Sequence, residues 1–389
     1  MRACMVAYTF YESDNRVRRY AEALVRRGDS VDVIALSHPE RPDRREINGV
    51  RVYNVQKRKP DEKGKLTYLF RTTLFLIRSC IALTLRHIRK PYQLVHVHSV
   101  PDYEVFAATI VKLLGAKVIL DMHDLVPEFY AAKFSNGAAT PLYRALLFIE
   151  RLCCSFSDHV IISNDLWAEK VVGRSVNRNK CMTILNYPDP AIFHRRNAAR
   201  LTWHPFTLIY PGSLNWHQGL DIAIRAVAQV RKEPLAVEFH VYGRGPEEST
   251  LRAIVEHLNL NDIVKFHGLL SLEEMAKRME AADAGLVPKR ADGFGNEAFS
   301  TKIFEFMALD VPVIVSRTKI DQYYFDDSLV MFFEPGSVDD CAEKISSCIR
   351  DRGLALQRAH NAAPFIREHS WDRKQEMYFN LVDSLVVRA

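Results

Sequence analysis

Seven cysteines are scattered along this chain, and none forms a C-x-x-C pair. That argues against a zinc site or a disulfide framework and for a reducing compartment. No uncharged apolar run reaches the roughly 18 residues a membrane span needs. The first residues, MRACMVAYTF, carry no signal-peptide pattern and read straight into a strand. There is no D-x-D to hold a divalent cation, no internal repeat and no low-complexity segment. Basic and aromatic residues do not interleave, so the net charge of +6 does not indicate nucleic acid. It suits phosphate-bearing ligands or an anionic membrane surface.

What is present is a soluble globular composition, 48% hydrophobic and 26% charged, over 389 residues. That length is too great for one ordinary domain and suggests two of roughly 190 residues each. Apolar strands are expected at 3–9, 31–37, 94–100, 117–124 and 159–164, with helices at 16–27 and 103–114 between them. Strand, helix, strand with short turns is the unit of a parallel sheet. The same alternation resumes at 206–230 and continues through 237–289 and 329–350.

Open parallel sheets hold ligands just past the carboxyl ends of their strands. In the first half that places His123, Asp124 and Glu128, within DMHDLVPE, on a cleft wall. Asp124 is suited to accept a proton or to orient His123. His96 and His98 fall inside a strand and read as core histidines. In the first strand-to-helix loop, FYESDNRV, Asn15 and Arg16 either contact a ligand or belong to a plain polar turn capped by Ser13 or Asp14. Residues 57–65 read as a charged loop. Residues 66–90 form a long helix with Arg71, Arg78 and Arg89 close to one line. It is either a basic amphipathic helix lying on an anionic membrane or a partly buried surface helix with arginine stems at the core edge.

The most informative stretch is DGFGNEAFSTKIFEFMALDVPVIVSR, 292–317. A loop with Gly293, Gly295 and Asn296 leads to a helix from about Thr301 to Leu309, with Ser300 at the N-cap position, and then to a buried strand opened by Pro312. Glu297 lies in the loop and Glu305 one turn inside the helix. The first-turn amides of Thr301 and Lys302, together with the Lys302 charge, favour a phosphate at the helix start. A phosphate flanked by hydroxyl-rich groups describes a nucleotide sugar.

This stretch resembles the E-x7-E signature of the retaining family 4 glycosyltransferases, which have the α/β GT-B fold of two Rossmann-like domains facing across a cleft. The resemblance implies that Glu297 contacts the donor sugar and Glu305 the ribose. DMHDLVPE resembles an HD-x-x-PE pattern found in some members and implies roles for His123, Asp124 and Glu128 near sugar or acceptor. CMTILNYPDPAIF, 181–193, resembles the segment that closes the first domain. Residues 206–230 resemble the first unit of the donor domain, with Gly212 and Gly219 matching. Residues 237–270 resemble the run that follows, with Gly243 at the cleft and His267 near the base.

Two departures matter. Ser213 stands where the family has Arg, and Gln218 where it has Lys; those residues normally hold the donor diphosphate. Charge is then expected from Lys302 first, then Arg290 and Lys289, with Arg244 behind them; Asn215 completes the loop. The first strand-to-helix loop also lacks the family's glycines, which leaves Asn15 and Arg16 as the acceptor-side candidates. The domains are expected at 1–192, with a terminal helix from 371 to 389 packing back, and at 193–370; residues 195–200 read as linker.

The function implied is retaining transfer of a sugar from a UDP- or GDP-sugar to a glycan or lipid-linked acceptor. It is expected to need no metal and to take place in the cytoplasm, peripherally on an anionic membrane. A nucleotide-sugar epimerase of the same fold and a non-catalytic nucleotide-sugar-binding protein are the rival readings.

Overall fold

The computed structural model describes residues 1–38, 42, 44–58, 64–133, 140–195 and 205–386. Parts of the expected charged loop (59–63) and linker (196–200) lie outside them. By contact the chain divides into Met1–Asn186 with Gln375–Ala389, and Tyr187–Lys374.

The N-terminal unit is built on an eight-stranded sheet. Its strands are β1 (Arg2–Phe10), β2 (Ser30–Ser37), β3 (Arg44–Ile47), β4 (Val50–Lys57), β5 (Leu94–His98), β6 (Lys117–Met122), β7 (His159–Ile162) and β8 (Cys181–Thr183). Their order is β3-β4-β2-β1-β5-β6-β7-β8. All pairings are parallel except β3 with β4. Central strands such as VHV and VIL are fully buried because helices cover both faces of a parallel sheet. The β3–β4 hairpin was not expected from hydrophobic pattern, yet it has a sequence cause. Asn48 and Gly49 take φ of 50° and 78°, the positive values that a two-residue hairpin turn requires at both positions.

The C-terminal unit holds six parallel strands: β9 (Phe206–Pro211), β10 (Val237–Tyr242), β11 (Val264–Gly268), β12 (Ala284–Val287), β13 (Val313–Ser316) and β14 (Met331–Phe333). Their order is β11-β10-β9-β12-β13-β14, a doubly wound sheet. One face of the sheet joins Phe206, Leu208, Phe239 and Leu286 to Val227 and Ile345 of the covering helices in a single core.

Each sheet reverses its winding once, between β1 and β5 and between β9 and β12. A doubly wound sheet opens a crevice at that point, beyond the strand ends. In the C-terminal unit the loops after β9 and β12, with the helix that follows the latter, carry most of the residues singled out by sequence.

Candidate active site

In the C-terminal unit the loop after β9 and the helix Thr301–Ala308 meet around Lys302. The Lys302 ammonium lies 3.3 Å from Gln218 Oε1 and 5.2 Å above the Tyr210 ring. Tyr210 Oη lies 2.8 Å from the Ser213 carbonyl and 3.1 Å from Gln218 Oε1. Asn215 donates to Ser213 Oγ at 3.1 Å. Gly212 makes room for the lysine: a Cβ there would stand 2.3 Å from Lys302 Cε and 3.0 Å from Nζ. Gly243 stacks behind, where a Cβ would meet the Gly212 carbonyl at 1.8 Å. The cation thus sits beside Gln218, the position at which the sequence lacks the expected lysine.

Burial pulls the Lys302 ammonium down to about 8, against the attraction of Glu305. Burial pushes the Glu305 carboxyl up to about 7, with Lys302 and a Thr301 hydrogen bond opposing it. Both groups are therefore poised near neutrality, as expected for a site that waits for a charged ligand. Ser300 occupies the N-cap position of this helix but makes no side-chain cap bond, contrary to the capping role expected for it. Asp310, just past the far end, takes φ 57°, a left-handed conformation that Asp tolerates better than most residues.

Glu297 and Asn296 form a second group. Glu297 is 9% exposed, and its carboxylate lies 3.4 Å from the Lys319 ammonium. Asn296 accepts from the amides of Lys319 and Ile320, at 2.8 and 3.0 Å. Gly295 tucks against Arg290, whose carbonyl a Cβ would meet at 2.5 Å. Tyr210 and Lys319 were missed by sequence reasoning because no motif marks them.

Two expected donor cations prove to be scaffolding. Lys289 is 2% exposed, pairs with Asp321 at 2.8 Å and donates to the Ala298 carbonyl at 2.8 Å, so it braces the glutamate loop from behind. Arg290 forks onto Asp221 at 2.7 and 2.6 Å and stacks 4.5 Å from the Trp216 ring centre. Arg244 is exposed in the turn after β10. His267 lies on the edge strand β11, bonded to His240 at 2.8 Å and stacked on Tyr242.

Gly212→Ala is expected to displace the flexible end of Lys302 and to strain the loop as well, because Gly212 takes φ 154°. Nucleotide affinity should fall roughly tenfold, the worth of one charged hydrogen bond. An unchanged dissociation constant for UDP would count against this geometry.

In the N-terminal unit the strand register brings four residues of period 2 onto one face. His98 pairs with Asp121 across β5 and β6, with His96 and His123 two positions away. Asp121 is fully buried and accepts from Arg16 at 2.6 and 2.7 Å, and it lies 3.0 Å from His98 Nδ1 and 3.1 Å from His123 Nε2. Burial alone would raise this carboxyl, but the Arg16 charge and the His123 and His98 contacts hold it well below the usual range. Its oxygens are engaged, so the His96–His98–Asp121 group, although spaced for a cation, already holds a guanidinium.

Asp121 therefore orients His123, the role expected of Asp124. Asp124 instead lines a cavity of about 220 Å³ with Asp14, His98, Ser99 and His123, and burial raises its carboxyl. His96 and His98 are indeed buried, but Nε2 of each lacks a hydrogen-bond partner. Buried imidazoles of this kind are held neutral, and burial lowers both.

Both charged acceptor-side candidates are corrected. Arg16 is 3% exposed and belongs to the Asp121 network; Asp14, not Arg16, serves the loop, accepting from the Arg16 and Val17 amides as the N-cap. Asn15 is the exposed first residue of that helix. Glu128 is gripped by Arg174 at 2.5 and 2.9 Å, beside the buried Glu150. Glu128→Ala is expected to lower the melting temperature by a few degrees, about 1 kcal/mol, while leaving the KM for acceptor unchanged. A raised KM at normal stability would restore Glu128 to the site.

With this geometry in hand, comparison with known proteins is decisive on class. The Glycosyl transferase 4-like domain family matches residues 13–187, and the Glycosyl transferases group 1 family matches residues 195–364. The chain belongs to the GT-B glycosyltransferases of the family 4 type.

Among curated relatives it is 27% identical over 158 residues to WcaL of Escherichia coli, a glycosyltransferase ascribed to colanic acid biosynthesis. That match spans 40% of this chain and only 39% of the relative. Among solved structures, sucrose-phosphate synthase from Thermosynechococcus elongatus is similar with a TM-score of 0.81 at 18% identity, covering 100% of both chains. Anabaena HepE, solved with UDP-glucose, is similar with a TM-score of 0.73 at 15% identity, covering 97% of this chain and 99% of that one.

Proposed function

We propose that the protein moves a hexose-type sugar from a UDP- or GDP-sugar to a glycan or lipid-linked acceptor, with retention of configuration, in cell-surface polysaccharide or glycolipid synthesis. The observation that carries this reading is the Lys302 niche: a half-buried cation at a helix start, beside a loop that begins with Gly212, one turn before Glu305. A donor diphosphate fits beside Lys302, the ribose hydroxyls reach Glu305, and the sugar hydroxyls reach Glu297. The UDP-glucose bound to HepE supports this class of donor, and the process ascribed to WcaL supports the setting.

In the proposed reaction the bond from the sugar's anomeric carbon to the diphosphate oxygen breaks, and the electron pair stays with the phosphate. The acceptor hydroxyl bonds to the same carbon on the same face, and its proton passes to the departing phosphate oxygen. Lys302 and the helix amides stabilise the growing negative charge. His123, oriented by Asp121, and Asp124 meet the acceptor or the sugar. The acceptor is taken up at an anionic membrane surface, on the cytoplasmic face, which residues 66–90 meet.

No metal is needed in this scheme, so transfer should proceed unchanged in EDTA. Activity lost to EDTA and restored by Mg²⁺ would contradict it. A pH test follows from Lys302 and Glu305. In the free protein the ammonium loses its proton above about 8 and the carboxyl gains one below about 7. A bound diphosphate holds the proton on Lys302, so binding above that range takes up a proton. UDP affinity is expected to fall toward tenfold for each pH unit above about 8, following proton linkage. Calorimetry in buffers of different ionisation enthalpy reads this directly. A flat affinity up to about pH 10, the ordinary lysine range, would show that Lys302 does not face the phosphates.

A further inference from the structure

The helix Lys65–Arg89 is inverted for a surface that faces water. Its inward face holds Thr72 and Ser79, both fully buried, with Phe75, Leu83 and His87. Its outward face holds Leu66 (84% exposed), Phe70 (69%), Ile77 (52%), Ile81 (55%) and Ile88 (68%). At 100° per residue these five fall within an arc of about 60°. An apolar stripe of this kind on an otherwise folded surface marks an interaction site. Ile110 and Leu113, on the neighbouring helix Thr109–Leu113, are exposed as well.

Leu66–Arg89 is long and apolar enough to cross a membrane by length and composition. Its packing places it along the unit instead. Thr72 Oγ1 is hydrogen-bonded with Tyr103 Oη. Gln56 Nε2 donates to the Arg71 carbonyl at 3.1 Å, and Arg78 Nη1 donates to the Val55 carbonyl at 3.4 Å. Crossing a bilayer would strip this polar inward face of its partners.

Along one flank of the stripe, between the helix and the end of β4, runs a groove of about 470 Å³. Leu66, Phe70 and Leu74 form its apolar wall, and Lys57, Arg71 and Arg78 bring three cations to it. No carboxylate is among its described lining residues. Cations beside an apolar wall, next to an outward apolar stripe, match the two ends of one molecule: a phosphate headgroup and its acyl chains.

We propose that this groove seats the phosphate headgroup of an anionic phospholipid while the stripe of Leu66, Phe70, Ile77, Ile81 and Ile88 enters the acyl layer. The N-terminal unit then rests on the bilayer at a defined headgroup site rather than through diffuse charge. This deepens the membrane-facing part of the proposed function and does not depend on the donor chemistry.

The test is flotation of the full chain with phosphatidylcholine vesicles, with and without phosphatidylglycerol. Binding is expected only where phosphatidylglycerol is present. Lys57→Gln combined with Arg78→Gln should weaken it roughly 30-fold, at about fivefold per charge near a membrane. The charge-matched pair Arg89→Gln and Lys90→Gln, away from the groove, should weaken it far less. Equal losses for the two pairs would reduce the effect to diffuse attraction and overturn the headgroup site.

Ile77→Ser with Ile81→Ser should abolish flotation; unaffected flotation overturns the stripe. Three other outcomes would also refute the proposal: resistance to carbonate extraction, meaning a crossing helix; a vesicle-free dimer dissolved by the isoleucine changes, meaning a second copy on the stripe; and inorganic phosphate bound in the groove without vesicle affinity. All substituted side chains are exposed, and far-UV circular dichroism with a ligand-free melting curve reports whether each variant is folded. Neither readout involves a nucleotide, so failure to bind vesicles and failure of the donor reading are separate results.

Discussion

Lys302→Ala is expected to slow sugar transfer about a hundredfold, a loss of roughly 3 kcal/mol of transition-state stabilisation. The reasoning is electrostatic. The leaving diphosphate gains charge as the sugar departs, and Ser213 and Gln218 carry none to meet it. Lys289 and Arg290 are committed to Asp321 and Asp221. Lys302 is half-buried, lies 3.3 Å from Gln218 Oε1, and makes no ion pair among the described residues. The loss should appear in kcat more than in KM, because the charge it answers develops in the transition state. Folding should survive, since burial already disfavours this ammonium. Single-turnover rates with wild-type and variant protein decide the matter, and near-normal turnover in the variant would remove Lys302 from the mechanism.

Asp121→Ala is expected to destabilise the N-terminal unit by about 3–5 kcal/mol, the usual result of stripping one partner from a buried ion pair. Arg16 would remain as a charge 3% exposed, and His98 and His123 would lose their common acceptor. For a unit of this size the melting temperature should drop by roughly 10 °C. The pair also predicts an acid limit. The Asp121 carboxyl is held below its ordinary value of 3.8, so its stabilisation is complete above that value and is lost as pH falls through the lower, folded value. A melting curve unchanged by the substitution would mean that the guanidinium is satisfied elsewhere. As a positioning residue, Asp121 should also affect the pH profile of transfer through His123. A variant that retains enough fold, such as Asp121→Asn, is the one in which to measure that profile.

Much of the candidate site in the C-terminal unit was legible in the sequence because its parts are local. Glycines next to strand ends, two glutamates at fixed spacing and a lysine in the first turn of a helix can all be read without knowing what packs against them. Lys302, Lys289 and Arg290 could be ranked but not separated, since all three are cations within one loop and helix start. Only the placement of Asp321 and Asp221, from other segments, shows which two are neutralised. The acceptor side was less legible for the same reason. Glu128 looks available until Arg174, 46 residues later, closes on it, and Arg16 looks available until Asp121 does. Asp121 did carry a signal. Its period-2 relation to His123, matched by His96 and His98 on the next strand, puts four polar groups on one buried face, and a buried polar face must satisfy itself. The β3–β4 hairpin carried one too, in Asn48-Gly49.

The most direct test of the account is a thermal-shift panel of nucleotides and nucleotide sugars, run with EDTA on wild-type protein and on Lys302→Ala. The account predicts that one UDP- or GDP-sugar stabilises the wild-type protein, by about 2.7 kcal/mol at a hundred times its dissociation constant. That stabilisation should survive EDTA and shrink markedly in the variant. Silence across the panel, or equal stabilisation of the two proteins, would contradict a donor site built around Lys302.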